Sequence, residues 1–238
     1  MEERIRISER VENIIEEYVA KGDFAHQTLS FVRKVLAPES AGEVRVAGNE
    51  LKRYDMQYRY DHTLRVAEIG RKIAREEGLS EEALVMGCLL HDVGYPECGS
   101  FEELGKHSAY GAEIAKRFLG KIGYDRAMSE SICKAVLIHD RSPYEGEDAT
   151  VFEKSVRDAD DIDRADAMRI CIQVYHDIGE CPAWETKELC VKRLAEIKDL
   201  KGRICGTKTA KCLWLENLHL REEFYQRLLS QMERTREW

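Results

Sequence analysis

The chain has no apolar run approaching the roughly 18 residues that span a bilayer. Its first stretch, MEERIRISERVENIIEEY, is charged and periodic where an export signal would be apolar. A cytoplasmic protein without a membrane partner is the expectation. None of its cysteines (Cys88, Cys98, Cys133, Cys171, Cys181, Cys190, Cys205, Cys212) forms a C-x-x-C pair, which argues against a thiolate zinc site or a disulfide framework. Several lie beside aliphatic residues in helical stretches and read as reduced core thiols. Positive charge is also short: 37 Lys and Arg against 45 Asp and Glu leave a formal net charge of -8. A broad nucleic-acid surface needs clustered cations and is disfavoured. An anionic substrate would then need a local positive centre, for which a metal ion is the obvious candidate. No G-x-x-x-x-G-K-[ST] occurs, which disfavours kinase or NTPase chemistry of that type. Alternating period-two runs are scarce, and there is neither an internal repeat nor a low-complexity segment.

What is present is helical periodicity, almost everywhere. The expected fold class is all-α, and 238 residues suit one domain with extensions. We expect an N-terminal helical extension and loop over 1–50, a core over 51–180, and a C-terminal helical tail over 181–238. Residues 8–36 read as one or two helices closed by Pro38, and 37–50 as a loop or short hairpin. The irregular stretch 141–150 precedes a long helix starting near Val151, and Gly179 to Pro182 breaks the chain before the tail.

The apolar stripes carry the chemistry. In YDHTLRVAEIGRKIAREEG, positions 62, 66, 69 and 73 are His, Val, Ile and Ile, so His62 points to the core in a helix that Gly78 should end. Ser80 is the expected N-cap of the next helix, which carries Leu84, Cys88 and His91 on one face. Gly94 and Pro96 then break the chain, leaving Asp92 at a helix terminus. The stripe 107, 111, 114, 118 aims His107 inward, and 132, 136, 139 does the same for His139. The helix from Val151 places Val156, Asp160, Asp163, Ala167, Ile170 and Val174 on one face, where a carboxylate is costly unless paired or bound to a cation. A single inward histidine is ordinarily a hydrogen-bonded core residue. Four on successive helices, with buried carboxylates, suit iron, manganese, nickel, cobalt or zinc.

His62, His91-Asp92 and a late aspartate in VRDADDIDRAD resemble the HD superfamily of metal-dependent phosphohydrolases, whose signature is H…HD…D on an all-α fold. The resemblance covers about residues 55–175. His107 and His139 look like the additional histidines of binuclear members. The implied centre therefore holds one or two divalent ions, magnesium included among the options, with Asp92 bridging two of them as the key catalytic carboxylate. The A-D-x-x-D pattern aligns the last ligand with Asp160; Asp163 would stand behind it, Asp158 is the fallback, and Asp161 is expected to face solvent. RYDHTLRVAE, KHSAYGAEI and the acidic motif are similar to HD hydrolases that cleave diadenosine tetraphosphate. GTKTAKCLWLENLHLREEF looks more like the tail of uncharacterised HD hydrolases, so the subfamily stays open. Gly94-Tyr95-Pro96 is not the triplet of the cyclic-dinucleotide phosphodiesterases named for it, which lies well downstream of their HD pair.

The resemblance implies hydrolysis of a phosphoester in a small, nucleotide-like substrate by an activated water. Arg59, Lys106 and Arg141 stand close in sequence to candidate ligands and could meet a phosphate, although each taken singly reads as a solvated cation. His26, His176 and His219 have no matched role. Two other readings share the ligand set: a di-iron oxygenase on the same scaffold, and a non-catalytic module that binds a metal or nucleotide. The oligomeric state is not legible.

Overall fold

The computed structural model describes residues 5–36, 56–100, 102–141, 149–180 and 186–234. Among the described residues every regular element is helical, as expected. The helices are α1 (Glu9–Glu16), α2 (Phe24–Leu36), α3 (Met56–Glu77), α4 (Glu81–Leu90), α5 (His107–Lys121), α6 (Arg126–Ile138), α7 (Val151–Ala165), α8 (Ala167–Glu180), α9 (Thr186–Leu200) and α10 (Lys208–Arg234). Short 3-10 turns at Tyr95–Glu97 and Glu102–Lys106 link α4 to α5. The expected loop at 37–50 lies outside the described residues, as do Pro38 and Pro182. No helix among the described residues is long and apolar enough to cross a membrane.

The chain forms two compact units, 1–160 and 161–238. In the first, α4 is the central helix: every residue from Ala83 to Leu90 is buried, as a helix apolar on all sides must be. It packs against α2, α3 and α6, while α5 packs on α6 and α1. Gly78 ends α3 with φ 69°, and the Ser80 hydroxyl accepts from the Ala83 amide to start α4, both as the sequence implies. Phe31 of α2 stacks on Phe118 of α5 with centroids 4.1 Å apart, and Tyr18 meets Phe118 edge-on. Substituting such a buried ring by alanine costs about 3–5 kcal/mol.

The second unit packs α10 against α8 and α9. The indole nitrogen of Trp214 donates to the Leu200 carbonyl at 2.9 Å, and the Asn217 amide donates to the Ile162 carbonyl at 2.9 Å. Three expectations need correction here. The stripe read as one helix from Val151 to Val174 is two helices, separated at Asp166, whose carboxylate accepts from the amide of Ala167, the first residue of α8. Asp161 does not simply face solvent; it is ion-paired with Arg203 at 2.6 Å. The described cysteines are all free, yet Cys171 and Cys212 are exposed, because each falls on the outer face of its helix.

Candidate metal centre

Five helices of the first unit deliver six side chains to one place. His62 comes from the body of α3, His91 and Asp92 from the end of α4, His107 from the start of α5, His139 from the end of α6, and Asp160 from α7. All six are buried, none more than 5% exposed. His91 and His139 occupy the same position, the residue that closes a helix. Each uses Nδ1 to bond the carbonyl three residues back, Cys88 at 2.7 Å and Val136 at 2.7 Å. These carbonyls belong to the last turn of a helix and have no regular i+4 partner. His107 does likewise with the Leu104 carbonyl at 2.6 Å, at the end of a 3-10 turn. A proton committed to Nδ1 leaves the Nε2 lone pair facing inward, the tautomer of a metal-ligating histidine.

The inward atoms form two overlapping groups that share Asp92. Around its Oδ2, His62 Nε2 stands at 3.8 Å and His91 Nε2 at 3.3 Å. His62 Nε2 lies 3.3 Å from His91 Nε2 and 3.0 Å from Asp160 Oδ1. Around Oδ1, His139 Nε2 stands at 3.5 Å and His107 Nε2 at 3.7 Å, with the two imidazoles 3.2 Å apart. Donors about 2.1 Å from a common ion would be separated by about 3.0 Å in an octahedron and about 3.4 Å in a tetrahedron. The observed spacings are near those edges. Asp92 Oδ1 is buried without a hydrogen-bond partner, a cost that a bound cation would remove. The donor set therefore fits divalent metal, with donor atoms gathered in three overlapping groups: His62–His91–Asp92, His91–His139–Asp160 and Asp92–His107–His139.

Electrostatics agree with this picture. Burial opposes ionisation of Asp92, but the facing His91 and Arg59 outweigh it and hold the carboxyl well below its ordinary value. Burial also works to lower His139, yet the Asp92 carboxylate raises it overall, whereas burial keeps His107 below the usual imidazole value. Burial pushes the Cys88 thiol up, with the Asp160 charge adding to it. Cys88 is accordingly an inert neutral thiol.

Among the late aspartates, Asp160 is the one placed against the histidines; Asp158 and Asp163 are also buried. Arg59, read from sequence as a solvated cation when taken alone, is instead 7% exposed. Its guanidinium donates to Asp92 Oδ2 at 2.9 Å and lies over the Tyr95 ring at 3.8 Å. Tyr95 in turn stacks on His107 with centroids 4.3 Å apart. Sequence reasoning missed Tyr95, since one aromatic in a turn has no periodicity to mark it. Its only signal was its place three residues after Asp92. Lys106 and Arg141 are exposed, as are His26 and His219.

Residues 59–168 match the family model of the HD domain, a span that contains all six centre residues. A 57-residue stretch is 42% identical to Ribonuclease Y of Mycoplasma capricolum subsp. capricolum and, equally, to that of Mycoplasma mycoides subsp. mycoides. It covers 24% of this chain and 11% of those relatives' own length. The crystal structure of a predicted HD superfamily hydrolase from an uncultured Thermotogales bacterium superposes with a TM-score of 0.56, at 22% identity, over 87% of this chain and 92% of the other. The two share their fold.

Proposed function

Since this chain carries an HD domain over residues 59–168, we propose that it is a metal-dependent phosphohydrolase that cleaves a phosphoester of a small, nucleotide-like molecule with water. The observation that carries the reading is the division of Asp92, one carboxylate oxygen to each histidine pair. His62, His91, Asp92 and Asp160 would hold one ion, and Asp92, His107 and His139 a second. A divalent metal bound there supplies an acidified water and a Lewis acid for a phosphoryl oxygen.

The chain's own residues do the rest. The carbonyls of Cys88, Leu104 and Val136 lock three imidazoles in orientation, so the centre needs little reorganisation on binding. Arg59 is held flat by Tyr95 beside the ligand it bonds. A planar guanidinium there suits a phosphoryl oxygen, which it can meet while still oriented by Asp92. Lys106, next to His107 in the chain, and Arg141, two residues after His139, are exposed and would add positive charge for a phosphate. Ribonuclease Y is by its name a nuclease, and the stretch shared with it supports phosphodiester hydrolysis as the reaction class.

The test pairs elemental analysis with turnover. Purified protein is offered nucleotides and bis-p-nitrophenyl phosphate with Mn, Co, Ni or Mg. Hydrolysis is expected with at least one metal, and Asp92→Asn, which keeps size but removes charge, is expected to lower it by at least about 100-fold. A folded Asp92→Asn protein that retains most of its activity would place the chemistry elsewhere. Oxygen consumption with ferrous iron, and no hydrolysis with any metal, would replace this reading by the oxygenase.

A further inference from the structure

Asp160 is the last residue of the first compact unit and Asp161 the first of the second, yet both lie in the one helix α7. Successive helical residues point about 100° apart, so while Asp160 faces the histidines, Asp161 is turned away from them. Side chains of the second unit grip α7 at the two residues that follow Asp160. Arg203, between α9 and α10, pairs with the Asp161 carboxylate at 2.6 Å. Asn217 of α10 donates to the Ile162 carbonyl at 2.9 Å. That carbonyl lies in the last turn of α7. The Asp166 amide, which would be its regular i+4 partner, bonds the Asp163 carbonyl at 3.2 Å. The Asn217 amide thus fills a place that the end of the helix leaves open.

The grip is itself well held. The Arg203 side chain is 10% exposed, and its guanidinium lies over the Trp214 ring at 4.8 Å. The Lys211 ammonium donates to the carbonyls of Lys201, at 2.8 Å, and of Arg203, which fixes the backbone that carries the guanidinium. A long cation held by its backbone and by its face gives up little further freedom when it pairs.

We propose that Arg203 and Asn217 are positioning residues for Asp160: by holding α7 at residues 161 and 162 they fix how Asp160 meets a metal ion. The inference rests on the metal centre of the phosphohydrolase reading. Helix ends fray, and α7 ends at Ala165, soon after Asp160. A ligand must be held to within about 0.5 Å of its productive place, so freeing that end would cost affinity. The sign of the effect separates position from charge. By Coulomb attraction alone, losing the Arg203 cation would tighten a divalent ion, whereas losing the position of Asp160 would weaken it.

Manganese titrated calorimetrically into the metal-stripped full-length protein reads the centre without reference to turnover. Arg203→Ala is expected to weaken the ion that Asp160 would hold by about tenfold, the low end for residues that orient a ligand from behind. Arg203→Lys, which keeps the charge, is expected to recover part of the loss. Asn217→Ala, which changes no charge, is expected to weaken binding in the same direction. Thr150→Ala loosens the cap at the other end of α7 and is expected to leave the affinity unchanged. A folded Arg203→Ala protein that binds manganese as tightly as wild type, or more tightly, overturns the proposal. Equal weakening by Thr150→Ala also overturns it, since any loosening of α7 would then suffice. If Arg203→Ala does not fold, Asn217→Ala decides: weaker binding supports the proposal and unchanged binding overturns it. A wild-type protein that binds manganese but hydrolyses no phosphoester removes the phosphohydrolase reading and leaves this one standing. One that binds no divalent ion removes both.

Discussion

A methyl group at position 94 would stand 2.1 Å from the carbonyl oxygen of His107 and 2.4 Å from the amide nitrogen of Gly111. Both are backbone atoms of α5 and cannot rotate away, so Gly94→Ala must push the turn behind Asp92 off that helix. Overpacking typically costs about 1–3 kcal/mol. The upper end is expected here, read as a lower unfolding free energy in urea, together with loss of the ion that His107 would hold. The sequence marked Gly94 only as a chain break, because an approach between two backbones leaves no side-chain pattern. Arg59 was misjudged for a related reason: its burial depends on Tyr95 and Asp92, which no spacing within α3 reveals. The histidines were legible since helical period alone fixes the face on which each one lies. If Asp92 does serve two ions, His107→Ala should lower the metal stoichiometry by one by elemental analysis, and an unchanged stoichiometry would leave a mononuclear site.

Helix α7 shows what an element can and cannot disclose. It begins with a reciprocal cap: the Thr150 hydroxyl accepts from the Glu153 amide at 3.2 Å, and the Glu153 carboxylate accepts from the Thr150 amide at 2.9 Å. Lys134 of α6 meets the same carboxylate at 3.1 Å. Thr150→Ala is expected to cost about 1 kcal/mol in a chemical melt. Glu153→Ala should cost more, as it removes both the cap and the partner of Lys134. Neither should change metal content, because Asp160 lies well beyond the first turn; a loss of metal in Thr150→Ala would mean that the start of α7 governs its position. Apolar phase indicated that Asp160 faces inward, and the helix does so place it. The same phase ran on through Ile170 and Val174 and concealed the break at Asp166. A one-residue interruption that resumes nearly in step is invisible to periodicity, and only the short-range acceptor at Asp166 could have marked it.

On the scale of the whole molecule, the order H…HD…H…H…D foretold which helices converge, but not that a compact unit ends at Asp160, inside a continuous helix. Contacts between distant segments decide such a boundary, and local pattern does not contain them. Convergence has a thermodynamic consequence. Asp92 and Asp160 are 0% and 1% exposed, so two carboxylates and four imidazoles are held together against desolvation and, at Asp92 Oδ1, without a hydrogen bond. A metal that binds only the folded chain adds about 2.7 kcal/mol of stability at a free concentration 100 times its Kd. Exhaustive chelation is therefore expected to lower the melting temperature, and excess manganese or cobalt to restore it. Hydrogen exchange should show the lost protection concentrated in α3 to α7, which supply the six candidate ligands. In Asp92→Asn the response to chelator should shrink, since the shared carboxylate no longer carries a charge. Equal melting of the wild-type protein with and without chelator, after metal removal is verified by elemental analysis, would mean that these six side chains are stable as a hydrogen-bonded core and need no cation.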